Sequence, residues 1–107
     1  NELADYVEAL TDGRLLGPEL QQLHMDSPRP TDPDNPSAAL YGLAIGKFGT
    51  LYGHTGELPG YNSFMGRDPV AGVTLIVWAN LAPAANGQDP ATTIARALLG
   101  HVYTVPQ

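Results

Sequence analysis

Across 107 residues the chain carries five basic against eleven acidic side chains, a formal net charge of -6, and no cysteine. That length suits one modest domain, burying roughly two thirds of its unfolded surface. The charge leaves no electrostatic footprint for nucleic acid or an anionic membrane, and the cysteine count excludes disulfides, thiolate metal sites and a cysteine nucleophile while leaving the compartment open.

The longest apolar run, Val73 to Leu81, is broken by Thr74 and Asn80 and falls far short of the ~20 residues of a membrane-spanning helix. Asn1-Glu2-Leu3-Ala4-Asp5 lacks the basic and apolar regions of a signal peptide and looks like a helix start. An exported parent would carry its signal outside this chain.

Asn1 is a plausible N-cap, Leu3, Tyr6, Val7 and Leu10 recur at helical spacing, and Gly13 is placed to end the helix in the left-handed conformation, which predicts a helix over 2–12. Gly17-Pro18-Glu19 opens a second, short helix, with Leu20 and Leu23 on one face before Pro28. From Ser27 to Ser37, four prolines mixed with Asp32, Asp34 and Asn35 predict an extended loop. Prolines lower the entropy lost on ordering, so the loop need not be a disordered linker.

Three runs then have strand character, Leu40 to Phe48, Tyr61 to Arg67 and Val73 to Asn80, with a further run over Thr50 to Leu58 that includes the His-Thr-Gly. Along the second, Tyr61, Ser63 and Met65 share one face and Asn62 and Phe64 the other. Arg67-Asp68-Pro69-Val70-Ala71-Gly72 has the composition of a hairpin turn, so the sheet should be an antiparallel meander. Asp89-Pro90 can cap and open a last helix, whose stripe of Ile94, Ala97, Leu98 and Val102 should pack on the sheet. The expected fold is α+β, an antiparallel β-meander with flanking helices, divided as helices over 1–26, a proline-rich loop over 27–37, strands over 38–81 and a C-terminal helix over 89–103.

The chemistry concentrates in Tyr52-Gly53-His54-Thr55-Gly56-Glu57-Leu58-Pro59-Gly60-Tyr61. A strand-borne Thr-Gly sets a hydroxyl beside a position without a side chain, so an extended substrate can lie against the backbone and take its N–H groups. His54 can carry a proton near neutral pH and alone among the three histidines sits in such a glycine context. Glycines 53, 56 and 60 also fit plain sheet contacts or bulges, a reading that coexists with the functional one. Tyr61, Phe64 and Trp78 read as core or pocket-wall aromatics. His24 and His101, at helix ends, are expected in solvent, and the three histidines lack a metal-ligand spacing. Asp26, Asp32 and Asp34 lack the spacing of a calcium loop. No metal and no cofactor are expected.

His-Thr-Gly is a known substitute for the Lys-Thr-Gly of serine β-lactamases and penicillin-binding proteins. Together with Tyr41-Gly42-Leu43, Pro59-Gly60-Tyr61, Val77-Trp78-Ala79-Asn80 and the front-end Glu2-Leu3-Ala4-Asp5-Tyr6 and Gly13-Arg14-Leu15-Leu16, it resembles the class C β-lactamase and D-alanyl-D-alanine carboxypeptidase family, most of all the actinobacterial carboxypeptidase branch. The resemblance covers most of the chain. It implies the C-terminal part of a β-lactamase/transpeptidase-like fold, in a serine hydrolase of carboxypeptidase or esterase type. His54 would then organise charge at the site, Thr55 would hydrogen-bond the substrate, Gly56 would permit close approach, the backbone N–H of Glu57 would be one oxyanion-hole donor, and Tyr61 would border the substrate.

The chain contains neither Ser-x-x-Lys nor the family's Tyr-x-Asn, and Tyr41, Tyr52 and Tyr61 do not take that tyrosine's role. Loss of one oxyanion donor alone costs about 100-fold to 1,000-fold in rate, so the chain by itself is expected to be inert and to need the N-terminal remainder of the same protein as its partner. Two departures concern the substrate. Glu57 stands where the carboxypeptidase branch tends to have a threonine that binds the peptide's terminal carboxylate, and Gly46 aligns near the branch's arginine, with only Lys47 beside it. A neutral ester or amide thereby ranks level with a peptide. The alternative is a non-catalytic relative that binds cell-wall peptides or a protein partner. An isolated segment is expected to self-associate through its exposed edge and apolar face. The family implies a cell-envelope or secreted location.

Overall fold

The computed structural model describes residues 1–36 and 38–103. Ser37, the end of the predicted loop, lies outside the described residues. Helix α1 spans Glu2–Asp12 and α2 spans Pro18–Asp26. The strands are β1 (Arg29–Pro30), β2 (Leu40–Tyr41), β3 (Gly46–Phe48), β4 (Leu51–Leu58), β5 (Tyr61–Asp68) and β6 (Val73–Ala79), followed by helix α3 (Pro90–Val102). The six strands form one antiparallel sheet in sequence order, which makes the chain an α+β meander.

Local chemistry accounts for the helix ends. The Asn1 side chain accepts from the N–H groups of Leu3 (2.8 Å) and Ala4 (3.4 Å), and Gly13 closes α1 at φ 84°. Gln21 of α2 donates to the Leu10 carbonyl at 3.1 Å and so ties α2 back to α1.

Alternation along β5 separates the two faces of the sheet. Asn62, Phe64, Gly66 and Asp68 are buried on one face, where Leu51, Phe64, Val77, Ala91, Ala95 and Leu99 form the core with α3. Phe48 meets Phe64 edge-on at 5.0 Å between ring centroids, a geometry worth ~0.5–1.5 kcal/mol beyond the area buried. The opposite face carries Arg67, which reaches α1 through Glu8 (3.8 Å) and Asp12 (3.6 Å) and donates to Thr74 Oγ1 at 3.2 Å. The apolar core with α3 lies on one side of the sheet, and ion pairs to α1 lie on the other.

Several expectations change. The run Leu40 to Phe48 is not one strand: it folds back through a tight turn, with the Gly42 N–H donating to the Ile45 carbonyl at 2.8 Å and Ala44 at φ 55°. The proline-rich loop contributes a strand of its own, Arg29–Pro30, because Tyr41 and Leu40 present a free edge to it. The α3 stripe faces the other way. Ile94, Leu98 and Val102 stay 45%, 41% and 50% exposed, whereas Ala91, Ala95 and Leu99 are buried. Two alanines spaced four apart let the helix backbone approach the sheet, and Leu99 then completes the row. Leu20 and Leu23 of α2 are likewise exposed. His24 is half-buried instead of solvated, and its Nδ1 has no partner, while His101 is exposed.

Asp89 occupies the N-cap of α3 but makes no side-chain capping bond. That task passes to β5: Asn62 Oδ1 accepts from the Ala91 N–H at 2.9 Å, and its Nδ2 donates to the Gly56 carbonyl at 3.2 Å. At the other end of the helix, the Tyr103 hydroxyl donates to Asp68 Oδ2 at 2.6 Å, and Asp68 Oδ1 accepts from Val70 and Ala71. Two buried polar residues of β5 therefore hold α3 at both ends.

Candidate active site

Strand β4 is eight residues long, but its outer neighbour β3 pairs only with Leu51, Tyr52 and Gly53. From His54 to Leu58, β4 is paired by β5 alone. The direction of its free hydrogen-bonding groups follows from two turns. Phe48 and Leu51 flank a two-residue turn, as do Leu58 and Tyr61, and residues closing such a turn point their peptide groups at each other. Counting from either turn along the alternating strand gives the same answer. Leu51, Gly53, Thr55 and Glu57 direct N–H and C=O away from β5, and among the described residues the groups of Thr55 and Glu57 meet no strand. They form a short template for an extended ligand.

The glycines that frame this edge have separate causes. A Cβ at Gly53 would lie 1.9 Å from the Met65 carbonyl oxygen, a backbone atom that cannot move aside. At Gly56 the obstacle is Ser63 Oγ, 2.6 Å from the same imagined atom, a hydroxyl that can rotate away, so packing demands glycine less strictly there than at Gly53.

His54 stands where the pairing stops. Its Nδ1 lies 2.5 Å from the Thr55 carbonyl oxygen and its Nε2 is 2.8 Å from the Tyr41 hydroxyl, with the two rings edge-on at 5.5 Å. A carbonyl can only accept, so Nδ1 carries the proton, and in the neutral ring Nε2 accepts from Tyr41. The imidazolium would donate at both positions to the same partners. Sequence reasoning missed the Tyr41 contact. Tyr41 lies on β2, two strands from β4 through Gly46 and Gly53, so the contact depends on sheet register and carried no local sequence signal.

Of the other predicted site residues, Thr55 lies opposite Phe64 and Glu57 opposite Asn62, which assigns both by register to the α3 side of the strand, whereas His54 lies opposite Met65. Tyr61 is exposed at the turn that ends the edge. Lys47, which neighbours the position aligned with the family's arginine, holds its Nζ 5.2 Å from the Tyr52 ring centroid. The residues of the template are thus His54, Thr55, Gly56 and Glu57 along one edge, with Tyr41 behind the histidine. The edge can offer backbone donors to a developing oxyanion and a histidine beside it.

With a helix-flanked antiparallel sheet and this edge in place, the family is shown directly: the family model described as Beta-lactamase matches residues 1–99, and the chain belongs to that family. Among solved structures it is similar to the D-amino acid amidase from Ochrobactrum anthropi SV3, solved in complex with D-phenylalanine, with a TM-score of 0.53 and 28% sequence identity. The similarity covers 74% of this chain and 28% of that one, so the chain spans little more than a quarter of its neighbour's length. No curated protein matches the chain.

Proposed function

We propose that the chain supplies the substrate-binding edge of a serine hydrolase that works through an acyl-enzyme, on an ester or amide and by the same chemistry on a D-alanyl-D-alanine-type peptide. The observation that carries this reading is the unpaired half of β4, where the outward N–H of Glu57 follows His54 and Thr55. In the proposed reaction a serine hydroxyl from the N-terminal remainder of the same protein attacks the substrate carbonyl carbon. The carbonyl electron pair moves onto oxygen, where the Glu57 N–H and the nucleophile's own N–H receive it. Collapse of that intermediate expels the alcohol or amine with a proton and leaves the acyl-serine, which water then hydrolyses. Thr55 offers its outward N–H to the extended substrate while its carbonyl accepts from His54, Gly56 keeps the approach open, and Tyr61 borders the far end. His54, oriented by Tyr41, holds a polarisable group beside the edge. The family resemblance supports a cell-envelope or secreted location.

The test is covalent labelling of the gene product that carries this chain, by a fluorophosphonate and by a β-lactam. A stoichiometric adduct on an upstream serine is the expected result. A well-folded protein that binds cell-wall peptides saturably yet forms no adduct would transfer the edge to a non-catalytic binding role.

A further inference from the structure

The His54 imidazole leans over the open edge of β4. Both of its hydrogen-bond partners require this: the Thr55 carbonyl points away from β5, and Tyr41 belongs to β2, beyond the outer neighbour β3. The strand segment that would otherwise stand there turns off. Gly46 pairs with Gly53, so a continued β3 would set Ala44 opposite Thr55 and exchange two hydrogen bonds with it. Ala44 instead takes φ 55° and donates its N–H to the Gly42 carbonyl at 2.9 Å. His54 Nδ1–H supplies the donor that the Thr55 carbonyl thereby loses, and the Tyr41 hydroxyl, donating to Nε2 at 2.8 Å, holds the ring in that tautomer. The lost acceptor has no substitute. Among the described residues no partner meets the Thr55 N–H, so Thr55 presents a bare donor beside a carbonyl already taken.

Resting on the hydrolase reading above for the kind of ligand, we infer that the Tyr41–His54 pair makes Thr55 a specificity-determining position, which prefers a ligand unit that brings a carbonyl and no N–H: a hydroxy acid joined through an ester rather than an amino acid joined through an amide. An amino-acid unit opposite Thr55 would turn its N–H toward His54 Nδ1–H, donor against donor, and leave that N–H unsatisfied. A hydroxy-acid unit answers the Thr55 N–H with its carbonyl and has no surplus hydrogen. At Glu57 both peptide groups are open, so the ligand unit there gains from keeping its N–H. Tyr41 acts through His54, as a positioning residue.

The experiment binds acetyl-tri-D-alanine methylamide to the full gene product by calorimetry, alongside analogues in which each alanine in turn is replaced by D-lactate. One replacement should strengthen binding about fivefold, and the replacement two units away, facing Glu57, should weaken it by a similar factor. His54→Phe keeps a ring at the edge without the donor, and should abolish the gain while leaving the loss. Tyr41→Phe should abolish it in part. Ring nitrogen-15 spectra should show Nδ1 protonated and Nε2 bare in the wild-type protein, with the Nε2–H form growing in Tyr41→Phe, a change that a merely structural tyrosine would not produce. No replacement that strengthens binding, a gain that survives His54→Phe, or a wild-type ring protonated at Nε2 overturns the inference. The expected pattern in a protein that no acylating reagent labels upholds the inference and overturns the hydrolase reading alone. Binding of none of these probes to a protein that such a reagent does label overturns the inference alone.

Discussion

The two halves of β4 share one strand and differ in nearly everything that matters for function. Tyr52 and Gly53 are paired on both sides, and Leu51, paired with Phe48, belongs to the core. His54 to Leu58 is paired on one side and partly to fully exposed. Each half is steadied by a β5 residue reaching α3. Asp68 and Tyr103 secure the end near Leu51, and Asn62 bridges Gly56 to the first turn of α3. An edge that could bind an extended ligand needs unpaired peptide groups, and unpaired groups weaken a strand. Here the weakness is confined to five residues and offset from behind by a buried asparagine.

The comparison can be broken most forcefully at Gly53. Gly53→Ala sets a methyl against the Met65 carbonyl and should cost ~3 kcal/mol or more, since neither backbone can yield cheaply. Thermal or denaturant unfolding reads it, and a loss under ~1 kcal/mol would mean that the pairing of the inner half is softer than its geometry implies.

Glu57→Pro attacks the outer half instead. Proline removes an N–H that points away from β5, so the ladder should tolerate it as edge strands do. Activity of the full gene product should nonetheless fall about 100-fold to 1,000-fold, the usual cost of one oxyanion donor. Retained activity in a folded Glu57→Pro protein would exclude that N–H from the chemistry.

Tyr103→Phe tests the anchor of the inner half and should cost ~1–3 kcal/mol at neutral pH, the range for a hydrogen bond to a charged group. Its pH dependence has a defined sign. The Tyr103 hydroxyl, with help from the Ala71 and Val70 N–H groups and Thr50, holds the Asp68 carboxyl below its ordinary value near 3.8 against the opposing effect of burial. That stability is present above the ordinary value and is lost as pH falls through the lowered one. Burial, and then Asp68, raise the Tyr103 hydroxyl above 10.0, so the neutral phenol stabilises below pH 10 and the gain is lost above it. The stability curves of the wild-type protein and the Tyr103→Phe variant should therefore converge in acid and again in strong alkali.

Smallest is Asn62→Ala, at ~1–2 kcal/mol for a lost tertiary cap. Hydrogen exchange should quicken at Ala91 and along His54 to Leu58 more than at Leu51 to Gly53. Uniform quickening would show that the two halves open together.

Much of this was legible in the chain because local rules wrote it. Asn1 and Gly13 bound α1, turn residues separate β4, β5 and β6, and the combined His-Thr-Gly pattern announces the family without help from packing. Other features were not legible, for reasons that are specific. The stripe of Ile94, Leu98 and Val102 is the more hydrophobic face of α3, yet contact with the sheet goes to Ala91, Ala95 and Leu99 because a close approach rewards small side chains. Asp89 has the right chemistry for a cap, but Asn62, distant in sequence, arrives with better geometry.

The sequence by itself determined the three helices, the strands β4, β5 and β6 and their antiparallel order, since each rests on period, capping or turn chemistry within a few positions. Tertiary structure alone decided that β3 stops at Gly46, so that the Thr55 and Glu57 peptide groups are left facing outward, and that Tyr41 reaches His54 from two strands away. Both depend on strand register and strand length, which are set by how the sheet pairs and packs and not by any one segment of the chain.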